Sequence, residues 1–213
     1  MSIVQRYLAH IEQRYINSDY ADYWQNFIRH AKGADERRIQ QLRNTFPLIP
    51  ASLIELLRFC DGSKNDEYLD GYLFGYPLWD PYDKFEHFDN ACYLNSSDEM
   101  LNNGMLNDLK LYINGDFVPP WGRDIDDKVT DKAEELNCLY FATDFSQGEP
   151  ADLFIDFSPS EKGSVGQVFV YFYYDEEIRV LADSFDAYLQ GLMAANFPFI
   201  DYIFPNIDGE VEK

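Results

Sequence analysis

Apolar positions in the first 60 residues recur with the period of a helix. Ile3, Tyr7, Leu8, Ile11 and Tyr15 stand three and four residues apart, which predicts one amphipathic helix. Tyr23, Trp24, Phe27 and Ile28 continue the period after an interruption at Asn17 to Asp19, and Gly33 punctuates the chain. Ile39, Leu42 and Phe46 make the next stripe, with Arg37, Arg38 and Arg43 largely on other faces. Pro47 and Pro50 close that segment, and Ser52 to Cys60 reads as a compact helix carrying Leu53, Ile54, Leu56, Leu57 and Phe59. Pro50 suits its first turn and Gly62 its end. The opening of the chain is therefore a helical layer.

After Gly62 the period changes to two. Tyr72, Phe74 and Tyr76 alternate with Leu73 and Gly75, predicting a short strand that ends before Pro77. The next residues are mixed. WDPYDKF is turn-like, Phe85, Phe88 and Ala91 fit a helical piece, and NSSDEMLNNG reads as a polar loop with a helical turn. Leu109 to Ile113 fits a strand, because Leu111 and Ile113 alternate with Tyr112. Residues 124–135 hold six acids and two lysines, which predicts a solvated loop or an inserted helical piece.

From Cys138 the pattern sharpens. CLYFATD, DLFIDF, GQVFVYFYY and IRVLA are four strands with short polar connections. Gln167 to Tyr174 is apolar on both faces, so a central strand covered on both sides is expected. Asp183 or Ser184 caps a last helix through Phe185, Tyr188, Leu189 and Leu192. Helices first and clustered strands later make an α+β single domain, with N-terminal helices on a mainly antiparallel sheet and a C-terminal helix. Hairpin-length connections are too short for parallel crossovers. The domain is expected over residues 1–205, with loops around 60–70 and 118–136 and an acidic tail at 206–213.

Composition narrows the partners. A hydrophobic fraction of 46%, with 16 Tyr and 17 Phe, can fill a sizeable core. No apolar run approaches the length of a membrane span, and the N-terminus lacks the basic-then-apolar order of a secretory signal. Cys60, Cys92 and Cys138 are odd in number and widely spaced, so they read as apolar fillers in a reducing, cytoplasmic compartment. His10, His30 and His87 are too scattered for a metal centre.

The net charge of −21 is uneven. Residues 1–60 carry eight basic and six acidic side chains, whereas residues 61–213 carry nine and 32. Such a surface repels nucleic acid and anionic membrane but attracts a basic protein. Acidity also serves the bland purpose of keeping an aromatic-rich chain soluble.

Candidate chemistry is sparse. Asp144, Asp152 and Asp156 are the one dense carboxylate set on predicted strands, with Asp152, Phe154 and Asp156 on one side and Leu153, Ile155 and Phe157 on the other. Two carboxylates can act as acid and base, or hold a hard cation. DFSQGEPAD lacks calcium-loop spacing, however, so turn-capping and solvent-facing roles are expected. EKGSVGQ lacks the order of a phosphate loop and reads as a tight connection. No serine sits in a nucleophile elbow. Arg29, Lys32, Arg37, Arg38 and Arg43 are too few for a nucleic-acid footprint and read as a solvated helical face, able to pair with acids of their own chain. Tyr171, Tyr173 and Tyr174 beside Asp175, Glu176 and Glu177 fit either core packing or an interface.

Two stretches carry a family resemblance. FPLIPASLIELLRFCDGS at 46–63 resembles the proline–helix–Asn-Gly opening of the SUKH superfamily, with CDGS in place of the Asn-Gly pair. Residues 138–192 resemble its second half in Phe141, Asp144, Asp156, Pro159, Gly163, Gly166, Gln167, Val168, Ser184 and Phe185, although the tryptophan often found opening the Cys138 strand is missing. The resemblance implies a non-catalytic α+β binding domain without cofactor, metal or catalytic residues. Many bacterial members are immunity proteins that occupy a cognate toxin, often a nuclease. Fungal relatives act in cell-wall and signalling regulation. The expected partner is thus a basic toxin domain, neither nucleic acid nor membrane. The expected contact residues are Tyr173, Tyr174, Asp175, Glu176 and Glu177, with Asp124, Asp126 and Asp127. The rivals are a regulatory scaffold of the same fold and a hydrolase using Asp144, Asp152 and Asp156.

Overall fold

The chain begins with a helix that closes its own N-terminus. Ser2 Oγ accepts from Gln5 N–H at 3.1 Å and Gln5 Oε1 accepts from Ser2 N–H at 3.1 Å, so two orphan donors of helix α1 (Ile3–Ile16) are satisfied. A computed structural model describes residues 1–64, 71–78, 87–116, 122–144, 151–173 and 177–202. In it α1 buries Val4, Tyr7, Ile11 and Tyr15, and ends at Asn17, where the apolar period breaks. Helices α2 (Ala21–His30), α3 (Glu36–Thr45) and α4 (Ala51–Phe59) follow the predicted stripes, burying Trp24 and Phe27, Ile39 and Leu42, and Leu53, Ile54, Leu56 and Leu57. Gly33 lets the α2–α3 link approach α4, since a Cβ there would lie 2.0 Å from the Arg58 carbonyl oxygen. Arg38 reaches across to Asp98 at 2.7 Å, one of the internal pairings open to the basic face.

Among the described residues seven strands form one sheet: β1 (Tyr72–Leu78), β2 (His87–Leu94), β3 (Asp124–Ile125), β4 (Cys138–Thr143), β5 (Ala151–Asp156), β6 (Gln167–Phe172) and β7 (Glu177–Ala182). Their spatial order is β1-β2-β4-β5-β6-β7-β3, antiparallel throughout except for the parallel β3–β7 pair. β6 is interior and every one of its residues is buried, as its two apolar faces predicted. Helix α7 (Phe185–Ala194) starts at Ser184, whose hydroxyl accepts from Ala187 N–H at 3.1 Å. A single-turn piece, Pro198–Tyr202, packs against β1 and β2.

The two faces of the sheet bury separate cores. Leu139, Phe141, Leu153, Ile155, Val168, Val170 and Phe172 meet α1–α4 and α7. On the other face Phe154, Phe169, Tyr171 and Ile178 meet Leu109, Tyr112 and Ile113 of a further helix, together with Val129 and Leu136. The rings of Phe154 and Phe169 stack at 5.1 Å, and those of Tyr112 and Tyr171 approach at 5.1 Å.

Edge strand β1 has an unusual partner for its carbonyls. Tyr15 donates to the Tyr72 carbonyl at 2.9 Å, Tyr188 to that of Gly75 at 2.6 Å, and Tyr7 to that of Leu73. Hydroxyls from α1 and α7 thereby orient the helical layer on the strand and satisfy groups an edge would otherwise leave open.

Three sequence expectations are corrected. Leu109 to Ile113 is not a strand but lies in α6 (Leu106–Asn114), because Leu109, Tyr112 and Ile113 form the buried face at helical spacing while Leu111 is 39% exposed. Residues 85–91 do not contain a helical piece where they are described. His87 to Leu94 is β2, and Ala91 to Leu94 are all buried between β1 and β4. Residues 124–135 keep an exposed, acidic side, but they are not free of the core. They supply β3 and then a strap that buries Val129 and Thr130 under the second core. The helical turn within NSSDEMLNNG is α5 (Ser97–Asn102), capped by Ser96 and Glu99. WDPYDK and the acidic tail at 206–213 lie outside the described residues, as does the domain boundary at 205.

Candidate binding edge and the carboxylates behind it

Parallel pairing of β3 with β7 sets Asp124 opposite Glu177 and Ile125 opposite Ile178. Two acidic groups more than fifty residues apart in sequence thus meet on one sheet edge. Asp124 and Asp127 are exposed, Asp126, Tyr173 and Glu177 are partly exposed, and Tyr174, Asp175 and Glu176 lie outside the described residues.

Each described member of the set does something different. The Asp126 N–H donates to the Ile178 carbonyl at 2.9 Å, its Oδ2 accepts from Val180 N–H at 3.1 Å, and its Oδ1 accepts from Lys128 N–H at 3.0 Å. Its carboxylate occupies the position where a neighbouring strand's carbonyl would pair, so it closes the edge of β7. Asp127 pairs with Lys162 at 2.6 Å, and its carbonyl accepts from Ser160 Oγ at 2.6 Å. With both side chains about two-thirds exposed (68% and 67%), that ion pair adds little stability. Glu177 accepts from Arg179 Nε at 2.9 Å. Asp124 presents its carboxylate outward, while its backbone N–H donates to Tyr112 Oη at 3.0 Å.

The strap is stapled to the β5–β6 turn. The Lys128 carbonyl accepts from Ser160 N–H and from Gln167 Nε2, each at 3.0 Å. Gly163 makes this approach possible, because a Cβ there would stand 2.3 Å from the same oxygen. Lys128 Nζ lies 3.3 Å from Asp183 and Lys132 Nζ 2.8 Å from Glu135. The strap's lysines are thus already engaged, whereas Asp131 and Glu134 add further exposed acids.

The second carboxylate set departs from expectation. Asp144, Asp152 and Asp156 are not solvent-facing; their exposures are 3%, 2% and 0%. The strand alternation placed Asp152 and Asp156 beside Phe154 correctly, but the second core covers that face. Asp156 Oδ2 accepts from Gln167 Nε2 and its Oδ1 from Ser158 N–H, both at 2.9 Å, so it keeps the expected turn-capping role. Asp144 accepts from Tyr76 Oη at 2.7 Å. Asp152 accepts from Thr143 Oγ1 at 2.7 Å and from Tyr173 Oη, and the Tyr140 hydroxyl also favours its charged form. Burial pushes its pKa up to about 6, against the pull of those three hydroxyls, and the nearby Asp144 adds to the rise. Burial also raises the pKa of Asp156.

Asp152 and Asp156 stand too far apart to act as a catalytic pair. Asp152 is in register with Thr143 at one end of the β4–β5 ladder, and Asp156 with Cys138 at the other. Four residues along a strand separate them by about 13 Å. Among the described residues no group of three or more His, Cys, Asp or Glu is placed to hold a metal ion. Cys60, Cys92 and Cys138 are buried free thiols whose pKa values burial raises, which keeps them protonated and unreactive. Thr143, Tyr140 and Tyr76 carry no motif in the sequence; their part in the network appears only once the strand register is known.

Among the described residues no helix is long and apolar enough to cross a membrane. A search of curated proteins returned no match. The profile of the SMI1 / KNR4 family (SUKH-1) matches residues 33–191, a span that takes in α3 to α6, the whole seven-stranded sheet and most of α7. A match over that much of the chain means that the chain belongs to the SMI1 / KNR4 family (SUKH-1), a group of non-catalytic binding proteins.

Proposed function

We propose that this protein is a cytoplasmic bacterial immunity protein that neutralises a cognate toxin, a nuclease with a basic surface, by one-to-one binding and without a cofactor. The observation that carries the reading is the pairing of β3 with β7, which sets Asp124 beside Glu177 on one sheet edge. The excess of 32 acidic over nine basic side chains in residues 61–213 supplies the surrounding field. A nuclease must be basic where it grips phosphate, and a carboxylate-rich edge competes for that same face. Long-range attraction would speed encounter, and close contacts of the Tyr173 to Glu177 segment would slow release. Asp124 and Asp127 face the partner in this reading. Asp126 shapes the edge on which they stand.

Stopped-flow association of the chain with the toxin domain, at low and high salt, tests the steering. Screening beyond a Debye length should slow association by about tenfold or more. The paired variant Asp124→Asn with Glu177→Gln should reduce both the low-salt rate and its salt dependence. An association rate indifferent to salt would remove the electrostatic part of the proposal.

A further inference from the structure

Tyr173 joins the exposed edge to the buried carboxylates. Its ring lies 5.0 Å from that of Tyr171, and its hydroxyl donates to Asp152 on β5. Thr143 Oγ1, at 2.7 Å, and Tyr140 direct their hydroxyls at the same carboxyl. Among the described residues the remaining titratable groups acting with Asp152 are Asp144 and Cys92, neither of them cationic. Among the described residues no basic side chain is hydrogen-bonded to it.

A carboxylate only accepts hydrogen bonds, whereas a carboxylic acid must also donate one. Three hydroxyls therefore suit the ionised form. When Asp152 takes up a proton its new O–H needs an acceptor, so one of the three hydroxyls must stop donating to it. Thr143 is 5% exposed and fixed within β4, while Tyr173, at the end of β6, is partly exposed and can turn its proton to water. We propose that Asp152 is a positioning residue whose ionised carboxylate holds Tyr173 in place at the candidate edge, and whose protonation weakens that hold. Linkage supports this: the Tyr173 hydrogen bond favours the ionised form, so ionisation tightens that bond by the same amount. The pKa of about 6 puts the change in mildly acid solution. The consequence for binding rests on Tyr173 being part of the contact surface; the anchor itself does not.

The test uses the full chain alone, with ¹³C NMR of the Asp152 carboxyl and the Tyr173 ring followed through the mildly acid range. The Tyr173 signals should move with the Asp152 midpoint, near pH 6. Tyr173→Phe should raise that midpoint by about one pH unit, because a hydrogen bond to the charged form is lost. Asp152→Asn should leave the ring signals flat with pH. Tyr173 signals that ignore the Asp152 titration, or an unchanged midpoint in Tyr173→Phe, would overturn the proposal. Both of those measurements stand even if Asp152→Asn does not fold. Toxin binding that stays equally tight in mild acid, beside a working anchor, would instead place the contact surface elsewhere.

Discussion

The buried Asp152 makes a quantitative prediction about stability and pH. Its carboxyl is 2% exposed, and its pKa moves from the ordinary 3.8 to about 6 on folding. The native state therefore holds this proton more tightly than the unfolded chain does. Its stabilising contribution is complete below about pH 4 and declines as pH rises through about 6, by a total of about 3 kcal/mol. Asp152→Asn keeps an acceptor for the surrounding hydroxyls and cannot ionise. Urea unfolding of wild type and variant at a series of pH values isolates the term, because every other carboxylate titrates in both proteins. The difference between the two stabilities should shift in favour of the variant by about 2.5 kcal/mol between pH 4 and 7. Parallel stability curves across that interval would refute the assignment of an ionised, buried Asp152.

Three further substitutions test the architecture. Tyr188→Phe removes the donor that the Gly75 carbonyl accepts from at 2.6 Å, and thermal unfolding should show a loss of about 1–2 kcal/mol. Gly163→Ala forces a Cβ to within 2.3 Å of the Lys128 carbonyl oxygen, so urea unfolding should register about 2 kcal/mol of destabilisation. Asp126→Ala uncovers the Val180 N–H and opens the β7 edge; size-exclusion chromatography should show self-association, and an unchanged monomer peak with wild-type stability would deny Asp126 its closing role.

Much of the fold was legible because local period and burial agree. The stripes of α1 to α4 bury most of the residues that recur every three or four positions, although Ile28 is exposed, and the apolar run after Gln167 identified the interior strand. Most of the failures share one cause, a second core that the sequence does not announce; β2 is the exception, since Ala91, Cys92 and Leu94 belong to the first core. Leu109 to Ile113 satisfies both a period of two and a helical face, and only packing of Tyr112 on Tyr171 decides between them. The charges of residues 124–135 outweighed Val129, which is 3% exposed, so the strap looked solvated. Burial of Asp152 and Asp156 follows from that same cover. The nearness of Asp124 and Glu177 depends on a parallel pairing between distant segments, which no local pattern encodes.

The most direct test of the account is protection and capture together. Cells producing a basic nuclease-toxin domain encoded in the neighbouring reading frame should survive when this chain is co-expressed. The two proteins should purify as a one-to-one complex that Asp124→Asn with Glu177→Gln weakens. Survival with no complex, or a complex indifferent to those two substitutions, would contradict an immunity protein acting through the β3–β7 edge.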